Sequence, residues 1–259
     1  MSAKAALAEI DFELVLEDGV PLETQYHQLQ MQLFLELVHR RMAELGRDDF
    51  FAGGNIFVYY SPEQARAVAE EERQLALFEN GFRAEPPKKV AYRGPDAFLV
   101  KGVDPRRERQ VWVVWEEDGR FPDLVLELLS PSTAAFDRGE KKRIYERIFK
   151  SSEYFLYQPR SRQAEGWRLF DNSYQRITPG SQGRLWSREL EVELGVWHGV
   201  YRREAGLWLR LFYPDGGLVP TQEEQIREER QRADAERQRA DTAEAELAHL
   251  RARLAEIEG

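Results

Sequence analysis

The chain has 259 residues, of which 42 % are hydrophobic, including 6 Trp, 10 Tyr and 14 Phe. That is enough large apolar surface for a packed core and excludes global disorder. The absence of cysteine excludes disulfides, thiolate metal sites and a cysteine nucleophile, and a net charge of −9 excludes a protein that coats nucleic acid by charge alone.

Lys4 and Glu9 interrupt the first residues too early for a signal peptide, and no apolar run approaches the ~18 residues of a membrane span, so a cytoplasmic location without membrane contact is expected. Phe12 to Leu16 reads as a short strand closed by the Asp18-Gly19 turn signal. From Leu22 to Leu45, Leu29, Leu33, Leu37 and Met42 recur at helical spacing, and Gly46 ends the helix. Asn55 to Tyr60 is aromatic and β-branched and reads as a strand. Residues 62–83 are rich in Glu, Ala and Arg and read as an inserted surface helix, the insertion running to about 89 through Pro86 and Pro87. Two strands, 97–100 and 111–115, precede a run at 124–129 that is too short for a helix and apolar on both faces, the pattern of a central buried strand. A helix over 138–150 and a strand at 154–157 follow. Residues 165–213 alternate strands and turns, with Trp167, Trp186, Trp197 and Trp208 as sheet or core residues. The order of elements indicates an α/β (α+β) plan rather than repeated βαβ units.

Residues 1–220 are read as one domain and 221–259 as a helical tail. Ile226, Ala233, Ala240, Leu247 and Leu254 fall every seven residues, and Ala243, Leu250 and Ile257 supply the second heptad position. Sustained heptads with flanking Arg and Glu describe a coiled coil, so a homodimer or homo-oligomer through residues 221–259 is expected. A solvated single helix held by charge pairs is the alternative.

The chemistry centres on an acid in an apolar strand. Glu127 lies in the middle of 124–129, where an ionised carboxylate is costly without a partner. Asp96 opens the strand 97–100. If the two strands are neighbours, the two carboxylates converge and make a cradle for Mg²⁺, a hard cation that prefers oxygen. Lys141 and Lys142 on the following helix are then candidates to orient or deprotonate a water beside the metal. The residues alone equally describe a buried acid satisfied by one of these lysines. Asp123 is in phase with Glu127 along the strand and is a further candidate ligand, or the end of a turn. Asp137 reads as a helix cap. Tyr145 shares the face of Lys141 and lines either the pocket or the core, and His27 on the first helix is a further candidate for the site. Ser130 and Ser132 lack a placed histidine for serine hydrolase chemistry, and no phosphate-binding Gly-rich loop or zinc motif is present.

Several segments occur in a characteristic order: Asn55-Ile56-Phe57-Val58-Tyr59-Tyr60, Gly94-Pro95-Asp96-Ala97-Phe98-Leu99-Val100, Phe121-Pro122-Asp123 through Ser132-Thr133, Asp137-Arg138-Gly139-Glu140-Lys141 and Glu153-Tyr154-Phe155. Together they resemble the Uma-two family of restriction-endonuclease-like proteins, within the PD-(D/E)XK nuclease superfamily, over about residues 10–220. The resemblance implies a mixed central sheet flanked by helices, with Asp96 and Glu127 as metal ligands for Mg²⁺ or Mn²⁺. It also implies a catalytic lysine two residues after Glu127. Leu129 stands there instead, and the basic role passes to Lys141 on the next helix.

The expectation is therefore a metal-dependent endonuclease acting on DNA, with Asp96, Glu127 and Lys141 as its machinery. Arg106, Arg107, Arg109, Lys142, Arg143 and Lys150 are candidate phosphate contacts. The alternative is a catalytically inactive protein of nuclease fold that binds or assembles through its coiled coil.

Overall fold

The computed structural model describes residues 24–61 and 92–258. The expected strand at 12–16 and inserted helix at 62–83 lie outside the described residues. The chain divides into two compact units, Met1–Val219 and Pro220–Gly259, taken here one at a time.

In the first unit, helix α1 (Gln25–Glu44) starts at Thr24, whose extended backbone and hydroxyl cap the helix by accepting from the His27 N–H at 3.2 Å. Tyr26, Gln30, Leu33, Phe34, Leu37, Val38 and Met42 form its buried stripe at the three- and four-residue spacing of an amphipathic helix. Gly46, at φ +68°, takes the left-handed position just past its end.

The central sheet has six strands in the order β1 (Phe50–Gly54), β4 (Ala97–Lys101), β6 (Leu124–Leu128), β7 (Glu153–Tyr157), β8 (Ala164–Phe170) and β9 (Ser173–Arg176). Only β6 and β7 in it pair in parallel, so the sheet is mixed. Every residue of β6 is buried, as befits a strand covered on both faces. Alternation along β4 and β6 divides the core in two. Ala97, Leu99, Leu124, Leu126 and Leu128 pack with α1, whereas Phe98, Val100 and Val125 pack with Tyr145 and Phe149 of helix α2 (residues 134–149) on the opposite face. A short sheet of β2 (Val58–Tyr59), β3 (Tyr92–Arg93) and β5 (Trp112–Val113) lies beside it. A third sheet, β10 (Leu185–Ser187), β11 (Val192–Tyr201) and β12 (Glu204–Phe212), closes over α1. Tyr26 of the helix stacks on Trp208 of β12 at 4.2 Å.

Three expectations need correction. The strand expected at 55–60 shrinks to β2 at Val58–Tyr59, Asn55 having φ +52°, and a longer strand at Phe50–Gly54 was not expected. Glycines hid it, because Gly54 is there for close approach. A Cβ at that position would lie 2.8 Å from Leu35 Cδ1, 2.9 Å from Met31 Sδ and 3.0 Å from the Asp96 carbonyl. The helix expected from 138 begins at Ala134. The strand expected at 111–115 is cut to Trp112–Val113, because Val114–Glu116 turns into a 3-10 helix, whereas the four tryptophans lie in strands as expected.

The second unit is one helix, α3 (Gln222–Glu258). Ile226, Leu247 and Leu250 are exposed along it. Among the described residues no helix is long and apolar enough to cross a membrane.

Candidate active site

The antiparallel register of β4 and β6 sets Ala97 opposite Leu126, so Asp96, one residue before β4, stands opposite Glu127. The Leu128 N–H donates to Asp96 Oδ2 at 2.6 Å, which ties the aspartate to the strand carrying the glutamate. Both side chains face α2, because each is in phase with Phe98 or Val125 on that side of the sheet.

Helix α2 supplies the rest. Its α-helical turns, Ala134–Phe136 and Lys142–Ile144, alternate with π-helical turns, Asp137–Lys141 and Tyr145–Phe149. An α-helix has about 3.6 residues per turn and the π-turn is wider, so the average approaches about four and residues four apart fall in line. Asp137, Lys141, Tyr145 and Phe149 are such a row, and it faces the sheet. Lys141 Nζ lies 3.0 Å from Glu127 Oε2 and 3.1 Å from Asp137 Oδ1. The Tyr145 hydroxyl donates to Glu127 Oε1 at 2.7 Å. The Tyr154 hydroxyl donates to the Asp137 carbonyl at 3.0 Å.

The cluster thus holds three carboxyl groups and one ammonium, and its electrostatics show the imbalance. Burial, reinforced by the neighbouring Asp96 and Asp137, pushes Glu127 up to about 8 against the pull of Lys141. Burial also raises Asp96, opposed by Lys141 and the Leu128 N–H. For Lys141 burial acts against the charge, but Glu127, Asp137 and Asp96 outweigh it and keep the ammonium above its ordinary range. Tyr145 is held protonated, far above the ordinary phenol, by burial and by Glu127. A second buried acid, Glu153, makes the contrast. It takes Arg168 at 2.8 Å, the Ser187 hydroxyl and the Arg188 N–H, all donors with no competing acid among them.

This donor set suits a divalent cation. Asp96 and Glu127 present hard carboxylate oxygens from adjacent strands, and Mg²⁺ binds through one or two carboxylates while keeping several waters. Among the described residues no group of three or more His, Cys, Asp and Glu side chains is arranged to hold a metal. Leu129, where the resemblance calls for a lysine, is 3 % exposed and belongs to the apolar cluster under α2; the lysine that reaches Glu127 comes from the helix.

Other candidates fall elsewhere. Asp123 sits at the far end of β6, where its Oδ2 accepts from the Lys101 N–H at 2.7 Å, and it does not join the cluster. His27 is on α1, on the other face of the sheet, with Nδ1 2.7 Å from Thr24 Oγ1. Asp137 is not a cap: it lies inside the helix, 1 % exposed. Its four-residue spacing from Lys141 is the one local signal that places it in the cluster. Arg106, Arg107 and Arg109 follow the Lys101 end of β4, roughly 17 Å along the strand from Asp96. Arg106 pairs with Asp104 and Arg107 with Glu116. Arg109 is 2 % exposed, bound to Glu117 at 2.8 Å, with Phe51 and Trp112 beside it. It is a structural arginine, unavailable to nucleic acid. On α2, Lys142 covers the Trp167 ring at 4.2 Å; Arg143 on the helix and Lys150 just after it are exposed.

Residues 18–204 match the family Uma2, described as putative restriction endonuclease. The chain belongs to the Uma2 family. At that level it is a member of a nuclease family, with nucleic acid as the substrate class the family name indicates. A crystal structure of a putative nuclease belonging to DUF820 from Anabaena variabilis is similar to this Uma2 chain at 10 % identity and a TM-score of 0.44, over 68 % of this chain and 80 % of that chain. Comparison with curated proteins finds no match.

Proposed function

We propose that this Uma2 protein is a metal-dependent endonuclease that hydrolyses DNA phosphodiester bonds, with Asp96 and Glu127 holding Mg²⁺ or Mn²⁺. The observation that carries the reading is the meeting of two strand-borne carboxylates with a helix-borne lysine in one buried cluster. Asp96 and Glu127 would hold the ion, which would supply Lewis acidity toward the phosphate. The protein's own groups do the rest. Lys141 stands at Glu127 Oε2, where it orients a water or steadies charge on the phosphate. Asp137 keeps that ammonium on the side of the site next to α2. Tyr145 fixes the orientation of Glu127 through Oε1. Lys142, Arg143 and Lys150, on or just after the same helix, are the phosphate contacts of this reading. The tail pairs two copies through its heptads, which would set two sites about a two-fold axis, one for each strand of a duplex.

A second reading rests on a specific observation. Both oxygens of Glu127 already take protein donors, Lys141 and Tyr145, so the acid is satisfied as it stands. On that reading the protein is a catalytically inactive nuclease fold that assembles through residues 221–259. Cleavage of supercoiled plasmid with Mg²⁺ or Mn²⁺ separates the two. Metal-dependent nicking by the wild type that is abolished in Asp96→Ala and Glu127→Ala, with circular dichroism unchanged, supports the endonuclease. No nicking by the wild type across metals and DNA forms sinks it, and equal nicking by all three assigns the activity to a contaminant or another site.

A further inference from the structure

Beyond the carboxylates, a cavity of about 200 Å³ opens past the ends of β6 and β7. It shares a wall with the cluster just described. Leu156 in its lining is the register partner of Glu127. Leu129, also in the lining, follows Glu127 by two residues on the same strand face. Arg138, a third lining residue, directly follows Asp137. The cavity therefore begins one residue position from the metal pair, on the side toward β8. It lies where ligands of open α/β sheets collect, outside the carboxyl ends of parallel strands.

Its chemistry is mixed in a particular way. Leu129 and Leu156 make an apolar floor, while Gln158, Arg162 and Gln163 stand around the mouth, all three exposed. Arg138 is fixed by Glu165, with Nε and Nη2 both on Oε1 at 2.9 and 2.6 Å. The one acid in the lining is thereby neutralised and does not repel an anion. The 158–163 turn that carries the mouth is held by Ser161, whose hydroxyl donates to the Gln163 carbonyl at 3.0 Å, so the two amides are presented from an ordered loop.

We propose that this cavity is a nucleotide subsite: it takes one nucleotide of the strand next to the scissile phosphate. The base enters above Leu129 and Leu156, which close the bottom of the cavity at 3 % and 1 % exposure, with its edge toward Gln158 and Gln163, and Arg162 meets the adjoining phosphate. Side-chain amides offer the paired donor and acceptor that a base edge requires, and a guanidinium is the preferred partner of a phosphate. The volume is well below the roughly 300–1,000 Å³ of drug-sized pockets, which suits a single base and excludes a base pair. The subsite thus favours a strand whose base is unpaired at this point. The inference rests on the endonuclease reading for its orientation relative to the scissile bond, but its binding chemistry is independent of turnover.

The test is fluorescence anisotropy of the full chain, in EDTA, with a labelled single-stranded pentadeoxynucleotide and with the same sequence as a duplex. Plasmid nicking is run in parallel. Arg162→Ala and Gln158→Ala are exposed changes that leave the core alone, and Arg188→Ala is a surface control. Single-strand binding about tenfold weaker in each pocket variant and unchanged in the control, the loss expected for one charge-assisted or paired contact, supports the subsite. That holds even if no protein nicks plasmid, in which case only the endonuclease reading fails. Wild-type affinity in both pocket variants, or no binding of the single strand by the wild type, overturns the subsite while leaving any metal-dependent nicking in place.

Discussion

Replacing Glu127 with glutamine in the metal-free protein should stabilise the fold at high pH and weaken it at low pH. An unfolded glutamate titrates near 4.5, and burial beside Asp96 and Asp137 pushes Glu127 up to about 8 in the fold. The folded state therefore binds this proton more tightly than the unfolded state. The associated stability is complete below pH 4.5 and is lost as the pH rises toward 8. At about 1.36 kcal/mol per pH unit, the loss reaches about 3 kcal/mol by pH 7 and about 5 kcal/mol above pH 8. Glutamine carries no charge and escapes that loss. It gives up part of the bonding to Lys141 and Tyr145, a deficit of about 1 kcal/mol at every pH. The expected crossing is a variant slightly less stable than wild type at pH 5 and more stable by about 2–4 kcal/mol at pH 8.5. Urea unfolding in EDTA from pH 5 to 9 measures it. If the two carboxylates hold Mg²⁺ as proposed, the added ion should narrow the gap at pH 8.5, because the variant has lost one of the two ligands. A glutamine variant weaker than wild type by the same amount at all pH values would refute the reasoning, since it would mean that Lys141 and Tyr145 fully compensate the buried charge.

Tyr145→Phe removes the donor to a buried carboxylate oxygen and should destabilise by about 1–3 kcal/mol, read by urea unfolding at pH 8; a neutral result would show that Oε1 has another donor. Gly54→Ala drives a Cβ against the Asp96 carbonyl, which cannot rotate away, and against Leu35 and Met31; a loss of about 1–3 kcal/mol is expected by thermal unfolding. Leu247→Glu combined with Leu250→Glu places charge on the heptad row of α3. Light scattering should then report the single 30.3 kDa chain where the wild type gives twice that mass, and a wild type already at the single mass would remove the pairing from the proposal.

The members of the candidate cluster at Asp96, Glu127 and Lys141 stood out in the chain because the relevant signals are local. A carboxylate in an unbroken apolar run is conspicuous at Glu127, since no solvated strand places one there. Proline before Asp96 and the Asp-Arg-Gly-Glu-Lys segment before the next strand carried the family resemblance. What escaped was whatever depended on packing. The strand at Phe50–Gly54 went unread because its glycines answer to α1 and to the Asp96 carbonyl, which are distant in sequence. Asp137 read as a cap because the winding that turns it inward, alternating α and π turns, has no single-residue signature. Arg109 looked like a surface cation, and only the fold wraps it with Glu117, Phe51 and Trp112.

By itself, then, the sequence determined the mixed α/β plan, the buried central strand, the two carboxylates and the long terminal helix, each of which follows from hydrophobic period or from a charge out of place. The tertiary structure alone decided which strands are neighbours, and so that Asp96 faces Glu127. It also decided that the Lys141 ammonium meets Glu127, and that Asp123 and the three arginines of the β4–β5 loop stand apart. The physical reason is that period and composition act over a few residues, whereas register, helix winding and the desolvation of a charge depend on elements that meet only when the chain is folded.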